Sequence, residues 1–173
     1  MENILFHETQ RFRQPWLWLL LLGGFGVITW GVIQQVILGD PWGDNPAPDG
    51  VLIGTWLLHI LLIAFIWMIR LEVRISTERI RYRFYPLHGR FREVFWEEVR
   101  QAGHRQYRPI LEYGGWGIRW GFRGKAFNIA GREGLQLVFI DDSRLLLGTQ
   151  QPEAIKEAMD YLYHEKVVAP LDE

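Results

Sequence analysis

The residue types that carry most protein chemistry are sparse in this 173-residue chain, and their spacings suit little catalysis. Five histidines, at positions 7, 59, 88, 104 and 164, show no metal-ligand spacing. The absence of cysteine excludes disulfides and thiolate metal sites. Asp141 and Asp142 are paired carboxylates, but with Ser143 they sit between two strand-like runs, where aspartate bonds its own backbone. Glu97 and Glu98 begin a predicted strand and so point to opposite faces. The only serines, Ser76 and Ser143, have no histidine or elbow motif beside them. Gly121, Gly124 and Lys125 approach a phosphate loop, yet Arg119 stands five positions before Gly124 and Ala126 replaces the required Ser or Thr. These residues give no catalytic group, no cofactor and no metal site, and they point to a non-enzymatic chain.

Three other groupings are candidates for binding. Arg74, Arg79, Arg81 and Arg83 alternate with apolar residues and would share a basic strand face suited to anionic headgroups. The alternative for them is a plain solvated face. Tyr113, Gly114, Gly115 and Trp116 form a candidate interaction corner, because two glycines between aromatics permit close approach of another chain; a sharp structural corner needs the same residues. Gln34 and His59 are polar groups inside long apolar runs. No second ionisable group lies in either run to exchange a proton with His59, which favours a neutral, hydrogen-bonded histidine over a proton relay.

The elements that must position these residues begin with those apolar runs. From Gln14 to Gly39, and again from Val51 to Ile69, there is no charged side chain. A helix rising about 1.5 Å per residue crosses a hydrocarbon core of about 30 Å in roughly 20 residues. The spacing predicts a transmembrane hairpin with helices over about 15–38 and 51–70. The first run is too long for a signal peptide and lacks a cleavage site. Arg11, Arg13, Arg70 and Arg74 flank the hairpin on one side, and the Gly39–Gly50 loop has no basic residue, which places both termini in the cytoplasm of a multi-pass protein of the cell (inner) membrane. If Leu38 and Val51 lie at equal depth, His59 is level with about Thr29 and Trp30, and Gln34 or Gln35 with Gly54 or Thr55. Gly23, Gly24, Gly26 and Gly31 would let the two helices, or copies of the chain, approach closely.

Beyond Arg70 the pattern alternates. Leu71, Val73 and Ile75, then Ile80, Tyr82 and Phe84, predict an antiparallel hairpin. Further strands are predicted over 92–96, 99–107, 116–121, 125–129, 135–140 and 144–147, without intervening helices, as in an antiparallel sandwich or barrel. Pro152 and Glu153 open an amphipathic helix with Ile155, Ala158, Met159 and Leu162 on one face. This divides the chain into 1–70, a short N-terminal stub with the hairpin; 71–165, the sheet domain; and 166–173, a polar tail.

Charge is uneven. Arg70 to Lys125 holds thirteen Lys or Arg against six Asp or Glu, while Ala126 to Glu173 holds four against nine. Beside a membrane the first partner for such a basic stretch is anionic lipid, and nucleic acid is not expected.

The succession of Leu71-Glu72-Val73-Arg74-Ile75-Ser76, the Arg79–Tyr85 run, Val94-Phe95-Trp96-Glu97-Glu98-Val99, Tyr113-Gly114-Gly115-Trp116-Gly117-Ile118-Arg119 and the Gly134–Gln150 stretch before a last helix resembles membrane-anchored bacterial pleckstrin-homology-like proteins. The resemblance implies an α+β membrane protein in which the two-helix hairpin precedes an antiparallel PH-like β-barrel or sandwich capped by one C-terminal helix. It also implies a non-enzymatic scaffold or regulator of a membrane-proximal partner protein, with sensing of anionic headgroups as the alternative. The lysine-led phosphate motif of relatives that bind phosphoinositides is absent here.

Overall fold

The computed structural model describes residues 3–121 and 124–171, in two compact units. One is Arg13–Met68; the other joins the chain before Arg13 to the chain from Ile69 onward.

The first unit is a helical hairpin. Helix α1 (Pro15–Val32) opens on a proline, whose missing N–H costs nothing in a first turn, and continues through a π turn at Ile33–Ile37. Helix α2 spans Asp49–Met68. Both are long and apolar enough to cross a membrane. They are apolar all round, so leucines such as Leu19 and Leu58 lie exposed, 78% and 65%. Trp18 meets Trp67 edge-on at 5.8 Å, Phe25 stacks on Trp56 at 6.0 Å, and Trp56 Nε1 donates to Thr29 Oγ1 at 2.9 Å. The level pairs therefore differ from the expected ones by about one helical turn. Gln35 fixes the offset: its amide donates to Asp49 Oδ1, bringing the start of α2 level with it.

The second unit contains two sheets. Sheet A has the order β1–β2–β3–β4, with β1 Ile4–Arg11, β2 Arg70–Ser76, β3 Arg79–Tyr85 and β4 Arg92–Phe95, all antiparallel. The predicted hairpin is β2–β3, with Leu71 opposite Phe84 and Ile75 opposite Ile80. Strand β1 replaces the stub. Its inward positions are Phe6, Glu8 and Gln10, so two of the three buried residues are polar and the apolar alternation that marks a strand is missing. The hairpin is thus inserted between two neighbouring strands, whose ladder ends at the pair Arg11 and Arg70.

Sheet B has the order β5–β8–β9–β7–β6, with β5 Val99–Gln106, β6 Gly117–Gly121, β7 Gly124–Asn128, β8 Glu133–Phe139 and β9 Arg144–Thr149. It is mixed, since β7 runs parallel to β9 with Phe127 beside Leu147. The purely antiparallel expectation fails because β9 returns between β8 and β7, a choice that strand patterns alone do not encode. The sheets do not close into a barrel. β4 passes to β5 through a 3-10 turn at Trp96–Glu98, so Glu97 and Glu98 are turn residues, not strand residues. Trp96 is buried there, with Nε1 donating to Ser76 O at 2.8 Å. A short helix α3 (Pro109–Tyr113) interrupts the predicted run of strands.

Between the sheets the core joins Leu71, Val73, Ile75, Ile80 and Phe84 of sheet A to Phe127, Leu135, Leu137, Leu145 and Leu147 of sheet B. Helix α4 (Pro152–His164) adds Ile155, Ala158, Met159 and Leu162, the expected face. Burying each of the larger of these side chains, the Val, Leu, Ile, Phe and Met, contributes about 1.5–3 kcal/mol. The tail is tied down: Val168 is buried, Ala102 N–H donates to Ala169 O at 3.0 Å, and Tyr163 donates to Ala102 O at 2.6 Å. Burial and the nearby Asp160 push the Tyr163 phenol up to about 12.

Candidate functional site

The outer face of sheet A carries Arg70, Glu72 and Arg74 from β2, Arg79, Arg81 and Arg83 from β3, and Glu93 from β4, because alternation sends Leu71, Val73, Ile80 and Tyr82 inward. The four arginines expected on one face are together, but carboxylates have been built in among them. Arg83 Nη2 donates to both oxygens of Glu72 at 2.8 Å, and Arg70 Nε donates to Glu72 Oε1 at 2.7 Å. Burial pushes the Glu72 carboxyl up, yet the bonds and charges of Arg83 and Arg70 outweigh it and leave its pKa below the ordinary value. Glu93 pairs with Arg79 and with Arg81, each at 3.0 Å. Aromatic rings lie beside the arginines as well: Arg74 is 4.9 Å and Arg83 4.4 Å from the Phe91 centroid, Arg70 4.7 Å from Tyr85, and Arg79 5.4 Å from Phe95. The result is a stapled, net-basic plate.

The glycine corner is a helix end. Gly114, at φ +71°, takes the left-handed position after α3, and its N–H and that of Gly115 close on Ile110 O and Pro109 O at 2.9 and 3.0 Å. Tyr113 is buried edge-on against Tyr107 at 6.0 Å. Trp116 donates Nε1 to Gly131 O at 3.2 Å, and beside it Ile110 and Leu111, 66% and 74% exposed, line a shallow groove of about 420 Å³. Arg105 holds this corner to sheet B by donating to Glu112, Tyr113 and Gln136.

In the helical hairpin, His59 Nε2 lies 2.9 Å from Leu21 O and its ring faces Phe25 at 6.1 Å. Gly24 makes room for it: a Cβ there would stand 3.3 Å from His59 Cε1. Gln34 does not reach α2; its amide donates to Pro41 O at 3.4 Å, within the connecting loop. The two intrahelical polar candidates are therefore not partners.

A fourth grouping carries no local sequence pattern. At one open end of the sandwich Tyr82 and Arg92, cross-strand partners on the inner face of sheet A, meet Lys125 and Trp120, cross-strand partners on the inner face of sheet B. Together with Gly121, Gly124 and Leu145 they line a cleft of about 520 Å³. Lys125 Nζ is 4.7 Å from the Trp120 ring and 5.2 Å from Phe127. Burial first, then the Arg92 charge, holds the Lys125 pKa below its usual value, and burial, Arg92 and Lys125 together do the same for His88, whose ring is edge-on to Phe127 at 5.3 Å. In sequence these residues are spread from 82 to 145, and the failed phosphate-loop pattern at Gly121, Gly124 and Lys125 joined just three of them.

Among the described residues no cluster of three or more His, Cys, Asp or Glu could hold a metal ion. No family model and no curated protein matches this chain.

Proposed function

We propose that this chain is a membrane-anchored, PH-like interaction module that acts as a non-enzymatic scaffold or regulator for a protein at the membrane surface. The observation that carries this reading is the insertion of two lipid-length apolar helices between adjacent strands of one sheet, with arginines at the junction. A domain whose sheet begins before the anchor and resumes after it is tethered at two points, which raises its effective concentration for partners at the same surface. Two sheets and a closing C-terminal helix support the PH-like kinship. The additional first strand and the parallel β7–β9 pair depart from its plan. Arg11, Arg13 and Arg70 at the helix ends, against a loop with no Lys or Arg, support cytoplasmic termini.

The native chain has no cysteine, so single introduced thiols report topology cleanly. In intact cells a membrane-impermeant maleimide is expected to label Asn45→Cys and to spare Glu153→Cys; the reverse pattern overturns the orientation. Crosslinking in native membranes is expected to capture a second protein, and recovery of self-copies alone overturns the scaffold role.

The second reading, orientation by anionic headgroups, is supported by Arg74, which lies over Phe91 and pairs with no carboxylate among the described residues. A fluorophore on Thr77→Cys of the full chain in nanodiscs, with nitroxide-labelled headgroups, reads it. Greater quenching in anionic than in zwitterionic lipid, lost at high salt, supports the reading. Equal quenching in the two lipids overturns it.

A further inference from the structure

The cleft between Arg92 and Lys125 has the opposite electrostatic design from the arginine plate. Arg92 and Lys125 project from facing sheets into one space that Asp142 and Arg144 also border, and no carboxylate among the described residues pairs with Arg92 or Lys125. The acids nearest in sequence or on the rim are engaged elsewhere: Glu93 points to the outer face and holds Arg79 and Arg81, while Asp142 Oδ1 lies 2.6 Å from the Arg100 guanidinium. Like charges repel more strongly where protein replaces water around them, so bringing an ammonium and a guanidinium together costs free energy unless an anion completes the set. The Arg92 guanidinium lies close enough to the Tyr82 hydroxyl to offset part of the rise in its pKa that burial causes. Guanidinium can only donate, so an acceptor in the cleft can take the phenolic hydrogen of Tyr82 together with the donors of Arg92. Gly124, at φ +97°, packs against the backbone of Arg144, where a Cβ would collide with Arg144 O, so glycine is required for this edge of the cleft to close on β9. At the mouth Trp120 is 72% exposed, an aromatic left uncovered beside a cation.

We infer that this cleft binds a phosphoryl dianion, with the Arg92 guanidinium and the Lys125 ammonium as its two counter-charges and the Tyr82 hydroxyl as a third donor. Two positive charges match the charge of a phosphate monoester near neutral pH, and guanidinium offers the forked donors that phosphoryl oxygens accept. The same chemistry is presented by a free phosphate monoester and by a lipid headgroup, and the test separates them.

The full chain in nonionic detergent micelles is titrated with inorganic phosphate and with glycerol 3-phosphate, at constant ionic strength, while NMR follows the Trp120 indole and the His88 ring. In the second arm the chain is in phosphatidylcholine nanodiscs with and without phosphatidic acid, and no free phosphate is present. Saturable shifts of both resonances in either arm are expected, with the responding arm naming the source. Arg92→Gln and Lys125→Gln should each weaken that binding about tenfold or more, Arg92→Lys should weaken it less, and Arg81→Gln, on the outer plate, should leave it unchanged. The thermal midpoint of each variant confirms that it is folded. An absence of saturable shifts in both arms, equal shifts with chloride or acetate, or an equal loss with Arg81→Gln would each overturn the assignment.

Discussion

The two basic surfaces of this protein differ in what balances their charge. On the outer face of sheet A, five arginines from β2 and β3 are held by Glu72 and Glu93 and by the rings of Tyr85, Phe91 and Phe95. At the open end of the sandwich, Arg92 and Lys125 meet beside Trp120 and Tyr82, and among the described residues no carboxylate pairs with either, since Asp142 on the rim is held by Arg100. A paired arginine contributes to the fold and to the general field of the surface. An unpaired cation in a cleft contributes little to the fold and is available to a ligand. Number of arginines is therefore a poor guide to where this chain binds something, and the position of the carboxylates is a better one.

Substitutions can break this contrast, and the largest effect is expected at Glu72. Glu72→Ala leaves Arg70 and Arg83, both largely covered, without their shared carboxylate, and should cost about 2–3 kcal/mol. Arg92→Gln in the cleft should change stability by less than about 0.5 kcal/mol. Thermal unfolding of the two variants in the same detergent compares them, and equal losses would erase the distinction between plate and cleft.

Glu8 is the intermediate case, a carboxylate satisfied without a cation. On the inner side of β1 it accepts from Thr149 Oγ1 at 2.7 Å, Gln150 N at 2.9 Å and Gln10 Nε2 at 3.2 Å. Glu8→Ala strands these donors and should cost about 1–3 kcal/mol. The two glutamates also respond to pH with opposite sign. Burial raises the Glu8 pKa despite its three hydrogen bonds, so the folded state holds that proton more tightly than the unfolded chain does. Its contribution is fully present below the unfolded pKa of about 4.5 and is lost as pH rises through the folded value. Glu72, with a lowered pKa, contributes above about 4.5, and that stability is lost as pH falls through its folded value. Relative to the native chain, Glu72→Gln should flatten the acid-side fall of the thermal midpoint, whereas Glu8→Gln should flatten the decline above the ordinary glutamate range. Identical pH profiles for the two variants would count against this assignment.

A smaller effect is expected at His88. Arg92→Gln removes one of the charges that hold its pKa down, so the imidazole should titrate at higher pH by NMR, while Arg81→Gln should leave it in place. The smallest effect belongs to the plate's rim. Arg79→Gln loosens pairs that are partly open to water, with Glu93 and, at 3.7 Å, Glu78, and should cost no more than about 1 kcal/mol in the same unfolding assay.

The chain's local order was legible wherever one physical pattern dominated. Charge-free runs marked α1 and α2, apolar alternation marked β2 and β3, and the Ile155, Ala158, Met159 and Leu162 spacing marked α4. β1 escaped because Glu8 and Gln10 are buried polar residues whose partners, Thr149, Gln150 and Gly148, lie about 140 positions away. α3 escaped because a five-residue helix closed by Gly114 reads as a loop. The arginine face was visible as a row of arginines, but Glu72 and Glu93 could be recognised as its counter-charges only once β2, β3 and β4 were in register.

By itself, then, the sequence determined α1, α2, β2, β3 and α4, with the side of those strands that turns inward, because those depend on periodicity within a few residues. Only the tertiary structure decided that β1 joins β2 across the inserted hairpin, that β9 lies between β8 and β7, and that Arg92 and Lys125 face each other across one cleft. Those are pairings between distant parts of the chain, selected by core packing and by the satisfaction of buried polar groups, and no local pattern records them.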